Sequence, residues 1–251
     1  MAPLRAITFD LWDTLVADDS DEAERARRGL RSKRDERRHL LFEALDAAGG
    51  ADRGRVDLAF DVADAAFNRV WREHHITWTL PERLDVILTG LGRSLPEPDR
   101  MRLIEQLASM EVEMPPDLIE GCDAVLAQLS AQYPLAVVSD AIVTPGRMLR
   151  ELLERHGVKQ FFSSFAFSDE VGHSKPHRSM FQHVADELGV ELAQMLHIGD
   201  REHNDVRGAH ALGMRAILFA ATRDDDAEGT QADGVCRSYA ELPAVIEALK
   251  G

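Results

Sequence analysis

Four short stretches concentrate carboxylate, hydroxyl and ammonium groups. The first is ITFDLWDTLV, residues 7–16, an apolar run that delivers Asp10 into a tight bend. A carboxylate at such a point can attack an electrophile and form a covalent intermediate, or it can simply stabilise the turn. The second is VVSD, residues 137–140, another apolar run ending on Ser139 and Asp140. A hydroxyl there, with the backbone N–H groups that follow, can hold an anion. The third is GHSKP, residues 172–176, which pins Lys175 in front of a proline. A loop lysine is ordinarily solvated, but a fixed ammonium offsets charge on attacking and leaving groups. The fourth is HIGDREHND, residues 197–205, where Asp200 and the Asn204–Asp205 pair follow an apolar run. Several hard oxygen ligands at one strand mouth suit Mg²⁺, which takes one or two carboxylates plus water and substrate phosphate.

These stretches need elements to bring them together. Residues 4–9 are short and apolar, bounded by a polar turn, and read as a buried strand. Residues 18–39 are dense in charge, acidic first and basic after, and read as a loop followed by an exposed, solvated helix, with 34–48 amphipathic. Residues 57–75 carry apolar side chains at helical spacing, and further helices are expected near 82–90 and 98–110. After Pro115-Pro116 the rhythm changes. Helices at 121–132, 145–156, 179–188, 204–212 and 241–249 alternate with strands at 135–139, 161–167, 195–198, 215–219 and 235–238. Residues 222–232 read as an exposed loop. The expected fold is α/β, a Rossmann-like parallel sheet core with an inserted helical cap domain. The core would comprise residues 1–16 and 117–251, and the cap residues 17–116. Asp10, Ser139 and Asp200 would then meet at the carboxyl ends of their strands, where such sheets bind ligands.

Composition narrows the function classes. The chain has 251 residues, 45% of them hydrophobic, enough for one large domain or a domain with an insert. Its formal charge of −15 leaves no phosphate-neutralising excess of Lys and Arg, so nucleic acid is not an expected partner. No apolar run approaches the ~18 residues of a membrane span, and MAPLRAITFD has no charged leader followed by an apolar block. Cys122 and Cys236 read as reduced, buried thiols, which fits a cytoplasmic protein.

In order and spacing, FDLWDTL, VVSD, SKP and GDREHND resemble the motifs of the haloacid dehalogenase superfamily. The resemblance covers residues 4–16 and about 117–250. It implies a Mg²⁺-dependent hydrolase, in the main a phosphatase of small phosphorylated metabolites that works through an aspartyl-phosphate. Asp10 resembles the nucleophile and Lys175 the cation that steadies it. Ser139 resembles the hydroxyl that holds the transferring group, with Asp140, Thr14 and Trp12 at matching substrate-side positions. Asp10, Asp200, Asp205 and the backbone carbonyl of Trp12 resemble the metal ligands, with Asp205 alternatively orienting Lys175.

Trp12 departs from the phosphatase pattern. Phosphatases of the superfamily carry an Asp two residues after the nucleophile, which protonates the leaving alcohol and deprotonates the attacking water. Indole has one N–H donor and no useful acidity. The superfamily's 2-haloacid dehalogenases carry Tyr at this position, use no metal and expel halide, which needs no proton. Three readings follow: a phosphatase that takes its acid from elsewhere, a dehalogenase-like hydrolase with an aspartyl-ester intermediate, or a phosphate-binding protein with little turnover. Asp13 is expected to stabilise the turn. His74-His75 near Trp78, and His203, are candidate proton donors set against ordinary helix-end and loop roles; His173 has no expected role.

Overall fold

A computed structural model describes residues 2–249. The opening apolar run forms β1 (Ala6–Phe9), and all four of its residues are buried. Six helices follow: α1 (Glu22–Arg27), α2 (Lys33–Ala47), α3 (Arg53–His74), α4 (Leu80–Leu91), α5 (Glu97–Glu113) and α6 (Cys122–Ser130). Strands and helices then alternate: β2 (Leu135–Ser139), α7 (Gly146–Arg155), β3 (Phe162–Phe167), α8 (Ser168–Val171), α9 (Arg178–Leu188) and β4 (Met195–Gly199). The chain continues through α10 (Gly208–His210), β5 (Arg215–Phe219), β6 (Gly234–Cys236) and α11 (Leu242–Ala248).

The strands build one parallel sheet in the order β3-β2-β1-β4-β5-β6. A parallel sheet covered on both faces needs nearly continuous apolar strands, and AITF, LAVVS and RAILF supply them. Alternation along β1 divides two cores. Ile7 and Phe9 join Leu126, Leu149 and Leu152 in one cluster; Ala6 joins Phe181, Val184 and Ala209 in the other. The chain lays down β1, β2 and β3 outward in one direction, then crosses back to place β4 on the other side of β1. The crevice at that reversal, beyond the carboxyl ends of β1 and β4, is where the topology opens a ligand site.

The helices between β1 and β2 are locally well specified. Ser32 and Asp52 cap α2 and α3 by accepting from the backbone N–H groups of Asp35 and Arg55. Thr79 and Glu82 form a reciprocal capping box on α4, which ends at Gly92 in the left-handed conformation. Leu41, Leu45, Val56, Leu84 and Leu107 turn inward and extend the same apolar cluster that holds Ile7 and Phe9. The inserted helices pack chiefly on one another, and α5 joins them to the core through α7.

Two expectations are corrected. The charge-dense segment 18–39 is neither a simple loop nor a wholly solvated helical face. It contains α1 and the start of α2, and Arg25, Lys33 and Arg38 are buried. Lys33 Nζ lies 2.9 Å from carboxylate oxygens of both Asp19 and Asp21, and 3.5 Å from Glu111 Oε1. Opposite charges from α5 and the linker let this lysine leave water, which sequence position alone does not reveal. Residues 204–212 are not one regular helix either. A π-helical turn, Glu202–Arg207, precedes the short α10. Within that turn Asp205 folds back to accept from the backbone N–H of Arg201 at 2.9 Å. The other expected elements lie where the sequence pattern puts them, with ends shifted by a few residues; the short α8 after β3 is additional to that pattern.

Phe9 sits at the centre of this packing, fully buried and edge-on to Phe162 at 6.2 Å. Phe9→Ala should cost ~3–5 kcal/mol. The check is a denaturation midpoint that falls at unchanged m-value.

Candidate active site

The strand ends converge as the order β2-β1-β4 requires. The backbone N–H of Asp10 donates to Ile198 O at 2.8 Å, carrying the β1–β4 pairing one residue past β1. Asp10 has the same parity as Thr8, so its side chain leaves the strand on the side where His197 and Lys175 stand. A chain of contacts runs through this layer. Thr8 Oγ1 is 2.8 Å from His197 Nδ1, and His197 Nε2 is 3.0 Å from Asp205 Oδ1. Lys175 Nζ donates to the same Asp205 oxygen at 2.6 Å and lies 2.7 Å from Asp10 Oδ1. The acceptor-only carboxylate assigns the proton to His197 Nε2, leaving Nδ1 to accept from Thr8. Burial pushes the His197 pKa down despite Asp205, so the ring is neutral.

The loop carrying Lys175 is fixed by its backbone. Lys175 N–H donates to Asp140 Oδ1 at 2.9 Å, and Ser174 N–H donates to His75 O at 2.8 Å, at the end of α3. Burial alone would lower the Lys175 pKa; the carboxylates of Asp10, Asp205 and Asp140 outweigh it and hold the ammonium above the usual lysine range. Burial would likewise raise the Asp205 pKa, but Lys175 and His197 hold its carboxyl well below the usual range. Asp140 is the contrary case. Burial outweighs the pull of Lys175 and pushes it up to about 7.

Asp10, Asp200 and Asp205 bring carboxylate oxygens within 4.8 Å of one another, all buried. Burial, then the charges of Asp205 and Asp10, push Asp200 up to about 8. Lys175 serves Asp10 and Asp205, while Arg223 and, at 3.6 Å, Arg201 stand beside the outer oxygen of Asp200. Asp200 Oδ1 is buried without a hydrogen-bond partner, while its other oxygen lies 3.1 Å from Arg223 Nη1. Clustered hard oxygen donors and an orphaned carboxylate oxygen fit a small divalent cation such as Mg²⁺. Asp205 is the most occupied of the three: Oδ1 serves Lys175 and His197, and Oδ2 serves Arg201 N–H. That occupancy suits aiming the ammonium. Gly199 is required beside it, because a Cβ there would stand 2.3 Å from Asp205 Cγ.

A cavity of about 340 Å³ opens over this layer. From the core it is lined by Asp10, Trp12, Ser139, Asp140 and Lys175, five of the residues singled out in the sequence. Ser139 Oγ is buried without a partner at the end of β2. Trp12 forms part of the wall and packs on the apolar cluster behind it. Thr14 does not line the cavity. It is buried, its Oγ1 is unpartnered, and its carbonyl accepts from Tyr239 Oη at 2.6 Å. Asp13 adopts φ 55° and accepts from Asp18 N–H at 3.2 Å, a turn-stabilising role.

No histidine among the described residues lines the cavity. His75 and His203 face each other at 6.4 Å, and His173 stacks on His177 at 3.8 Å, all outside it. Sequence reasoning missed the opposite wall: Lys33, Arg34, Arg37, Trp71 and Glu111 from the inserted helices. It also missed the Thr8–His197 support. Those positions lie on helix faces and inside a strand, where the sequence has no local signal for cavity or hydrogen bond.

Residues 4–213 match the family model described as haloacid dehalogenase-like hydrolase, and the chain belongs to that family of hydrolases. It is 26% identical to a glyceraldehyde 3-phosphate phosphatase of Methanopyrus kandleri, an alignment covering 92% of this chain and 91% of that one. It is 28% identical to a phosphoglycolate phosphatase of Escherichia coli O157:H7, covering 85% and 80% of the two chains. A crystal structure of a 2-haloacid dehalogenase from Pseudomonas syringae shares the fold, with a TM-score of 0.69 at 18% identity over 98% of this chain and 99% of the other. No helix among the described residues is long and apolar enough to cross a membrane.

Because the Asp200 carboxyl holds a proton near neutrality, a cation must displace that proton to bind. Calorimetric titration with Mg²⁺ should show apparent affinity rising up to tenfold per pH unit as the Asp200 pKa is approached from below, then levelling above about pH 8. Asp200→Asn should flatten that dependence and weaken binding.

Proposed function

We propose that this hydrolase is a Mg²⁺-dependent phosphatase of a small phosphorylated metabolite, and that Asp10 carries the phosphoryl group as an aspartyl-phosphate. The observation that carries the reading is the Asp10–Lys175–Asp205 ion-pair chain beside Asp200, under a cavity with an unpartnered Ser139 hydroxyl. The names of the two phosphatase relatives point the same way. Residues 17–116 act as the cap that walls the cavity and selects substrate, and residues 1–16 and 117–251 are the catalytic core.

In the reaction, Asp10 attacks phosphorus and the ester oxygen departs on the opposite side. Lys175, 2.7 Å from Asp10 Oδ1, holds the carboxylate aimed. Ser139 Oγ–H donates to the non-bridging phosphoryl oxygens, while the Ala141 N–H beyond it is held by Ser168 Oγ at 2.8 Å. Asp140 holds the Lys175 loop in register. Asp10 and Asp200, with the carbonyl of Trp12 and a contribution from Asp205, would hold Mg²⁺, which when bound draws charge from the phosphoryl oxygens. Water then cleaves the aspartyl-phosphate and releases Asp10. The cavity's size and polar lining fit a small ester. The reduced thiols Cys122 and Cys236, both buried, fit a cytoplasmic site of action.

Trp12 favours one second reading, displacement of halide from a short 2-haloacid, which needs no proton donor. The buried acidic triad opposes it, since such a substrate brings its own carboxylate. A paired assay separates the two. Phosphate release from a panel of monoesters should require Mg²⁺ and fall to background in Asp10→Asn. Halide release that ignores a chelator would replace the phosphatase reading with the second one. Mg²⁺ and phosphate binding with neither product released would leave a binding protein.

A further inference from the structure

Residue 12 cannot move a proton, yet ester cleavage at neutral pH expels an alkoxide that needs one. The replacement must be titratable, must line the cavity, and must stand on the leaving-group side. In-line attack fixes that side: Asp10 reaches phosphorus from the core, so the ester oxygen faces the inserted helices. Four carboxyls line the cavity from that direction, Asp18, Asp19, Glu22 and Glu111. Three have an oxygen engaged by a neighbouring donor. Asp19 pairs with Lys33 Nζ at 2.9 Å, and Glu22 accepts from the backbone N–H of Lys33 at 2.8 Å. Glu111 is bonded to Thr144 and lies within 3.5 Å of both Lys33 and Arg37. Asp140 also lines the cavity, but it stands on the core side and accepts from Lys175 N–H.

Asp18 remains. It sits where the chain leaves the core for the inserted helices, and its backbone N–H is tied to Asp13 Oδ1 at 3.2 Å. We propose that Asp18 is the general acid and base of the reaction, the catalytic residue that does the work Trp12 cannot. This rests on the phosphatase reading above. Asp18 is reachable by solvent, so it can exchange its proton with bulk water between turnovers. The groups that bear on it are Asp19 and Asp13 from its own loop, Lys33 from α2 and Glu111 from α5. The protein packed around it and the carboxylates of Asp19, Glu111 and Asp13 outweigh Lys33 and push Asp18 up to about 6. An acid in that range holds its proton often enough near neutrality to give it away, and its conjugate base is strong enough to take one back.

The steps balance. As Asp10 Oδ bonds to phosphorus and the P–O ester bond breaks, the Asp18 carboxyl passes its proton to the departing oxygen, and alcohol leaves. The Asp18 carboxylate then takes a proton from water as the water oxygen bonds to phosphorus. The Asp10–phosphorus link breaks, phosphate leaves, and Asp18 is protonated again.

The test compares Asp18→Asn with the unmodified protein on two esters in Mg²⁺: 4-nitrophenyl phosphate, and the alkyl monoester the unmodified protein cleaves fastest. The substitution should lower kcat on the alkyl ester by ~10²–10⁴. On 4-nitrophenyl phosphate, whose leaving group needs no proton, it should leave a burst of about one nitrophenolate per enzyme followed by slow turnover. Adding Trp12→Asp to Asp18→Asn should recover at least about tenfold of the lost alkyl-ester rate if a carboxyl is what is missing. In the unmodified protein, with Mg²⁺ kept saturating at every pH, kcat/KM for the alkyl ester should fall as pH rises through about 6, and Asp18→Asn should abolish that limb. Full activity in Asp18→Asn, or loss of the burst in a variant that melts like the parent, overturns the assignment. Should Asp18→Asn fail to fold, a flat kcat/KM profile of the unmodified protein between pH 5 and 7 overturns it equally. Phosphate release from the alkyl ester that continues at the parent's rate in Asp18→Asn removes only this inference. An unmodified protein that releases no phosphate removes the phosphatase reading together with it.

Discussion

The structure of the site hangs on one buried ammonium. Lys175 Nζ is within 2.7 Å of Asp10 and 2.6 Å of Asp205, and its side chain is 2% exposed. An unpaired cation at that depth would carry a large desolvation penalty, and so would either carboxylate alone. Each group is therefore tolerable only in the presence of the others. The same constraint reaches outward. Asp205 holds His197, His197 holds Thr8, and Thr8 is inside β1, so the ion pair is braced by the strand that delivers Asp10. On the other side the Lys175 loop accepts its position from Asp140, at the end of β2, and from His75 at the end of α3. A shift of any of these strands or of α3 would move the ammonium relative to Asp10.

Much of this was legible from residues 7–16, 137–140, 172–176 and 197–205, because each joins an apolar run to a polar residue at its carboxyl end. The run fixes a buried strand, and the strand end fixes where the polar group goes. Asp10, Ser139, Lys175 and Asp200 were readable for that reason. The cavity's other wall was not. Lys33, Arg37 and Trp71 sit on helices whose periodicity reports only that one face is apolar. A buried lysine such as Lys33 looks in sequence like any member of a charged helix; its partners Asp21 and Glu111 are 12 and 78 residues away along the chain. The π-helical turn at Glu202–Arg207 was hidden for a similar reason, since its shape serves the hydrogen bond from Arg201 to Asp205 and leaves no mark in side-chain spacing.

The metal site and the proton site proposed above make opposite demands, so one can persist without the other beside it. Binding a divalent cation needs carboxylates crowded together and shielded from water, as Asp10, Asp200 and Asp205 are. Moving a proton needs a carboxyl with a free oxygen and access to solvent. Residue 12 sits between these environments, in the bend that follows Asp10, and its backbone follows the loop whatever its side chain. An indole there leaves the buried charges undisturbed and adds apolar wall, because Trp12 packs on the cluster behind the cavity. Electrostatic work is thus done by residues anchored in the sheet, and none of those anchors depends on the side chain at position 12.

The proton-handling function is then free to sit elsewhere, provided the chain returns to the cavity. It does so within a few residues. Asp13, in the left-handed conformation, accepts from Asp18 N–H, and Val16 pairs with both Trp12 and Leu118. These contacts curl residues 12–18 into a compact hairpin-like turn whose far end re-enters the cavity at Asp18 and Asp19. Asp19 is drawn off to Lys33, which is buried and fixed by Asp21 and Glu111. That arrangement leaves Asp18 as the linker carboxyl least neutralised by a direct ion pair, beside carboxylates that raise its proton affinity. The same buried lysine that anchors the start of α2 therefore sets apart the two neighbouring carboxyls, one held as a counter-ion and one left to titrate.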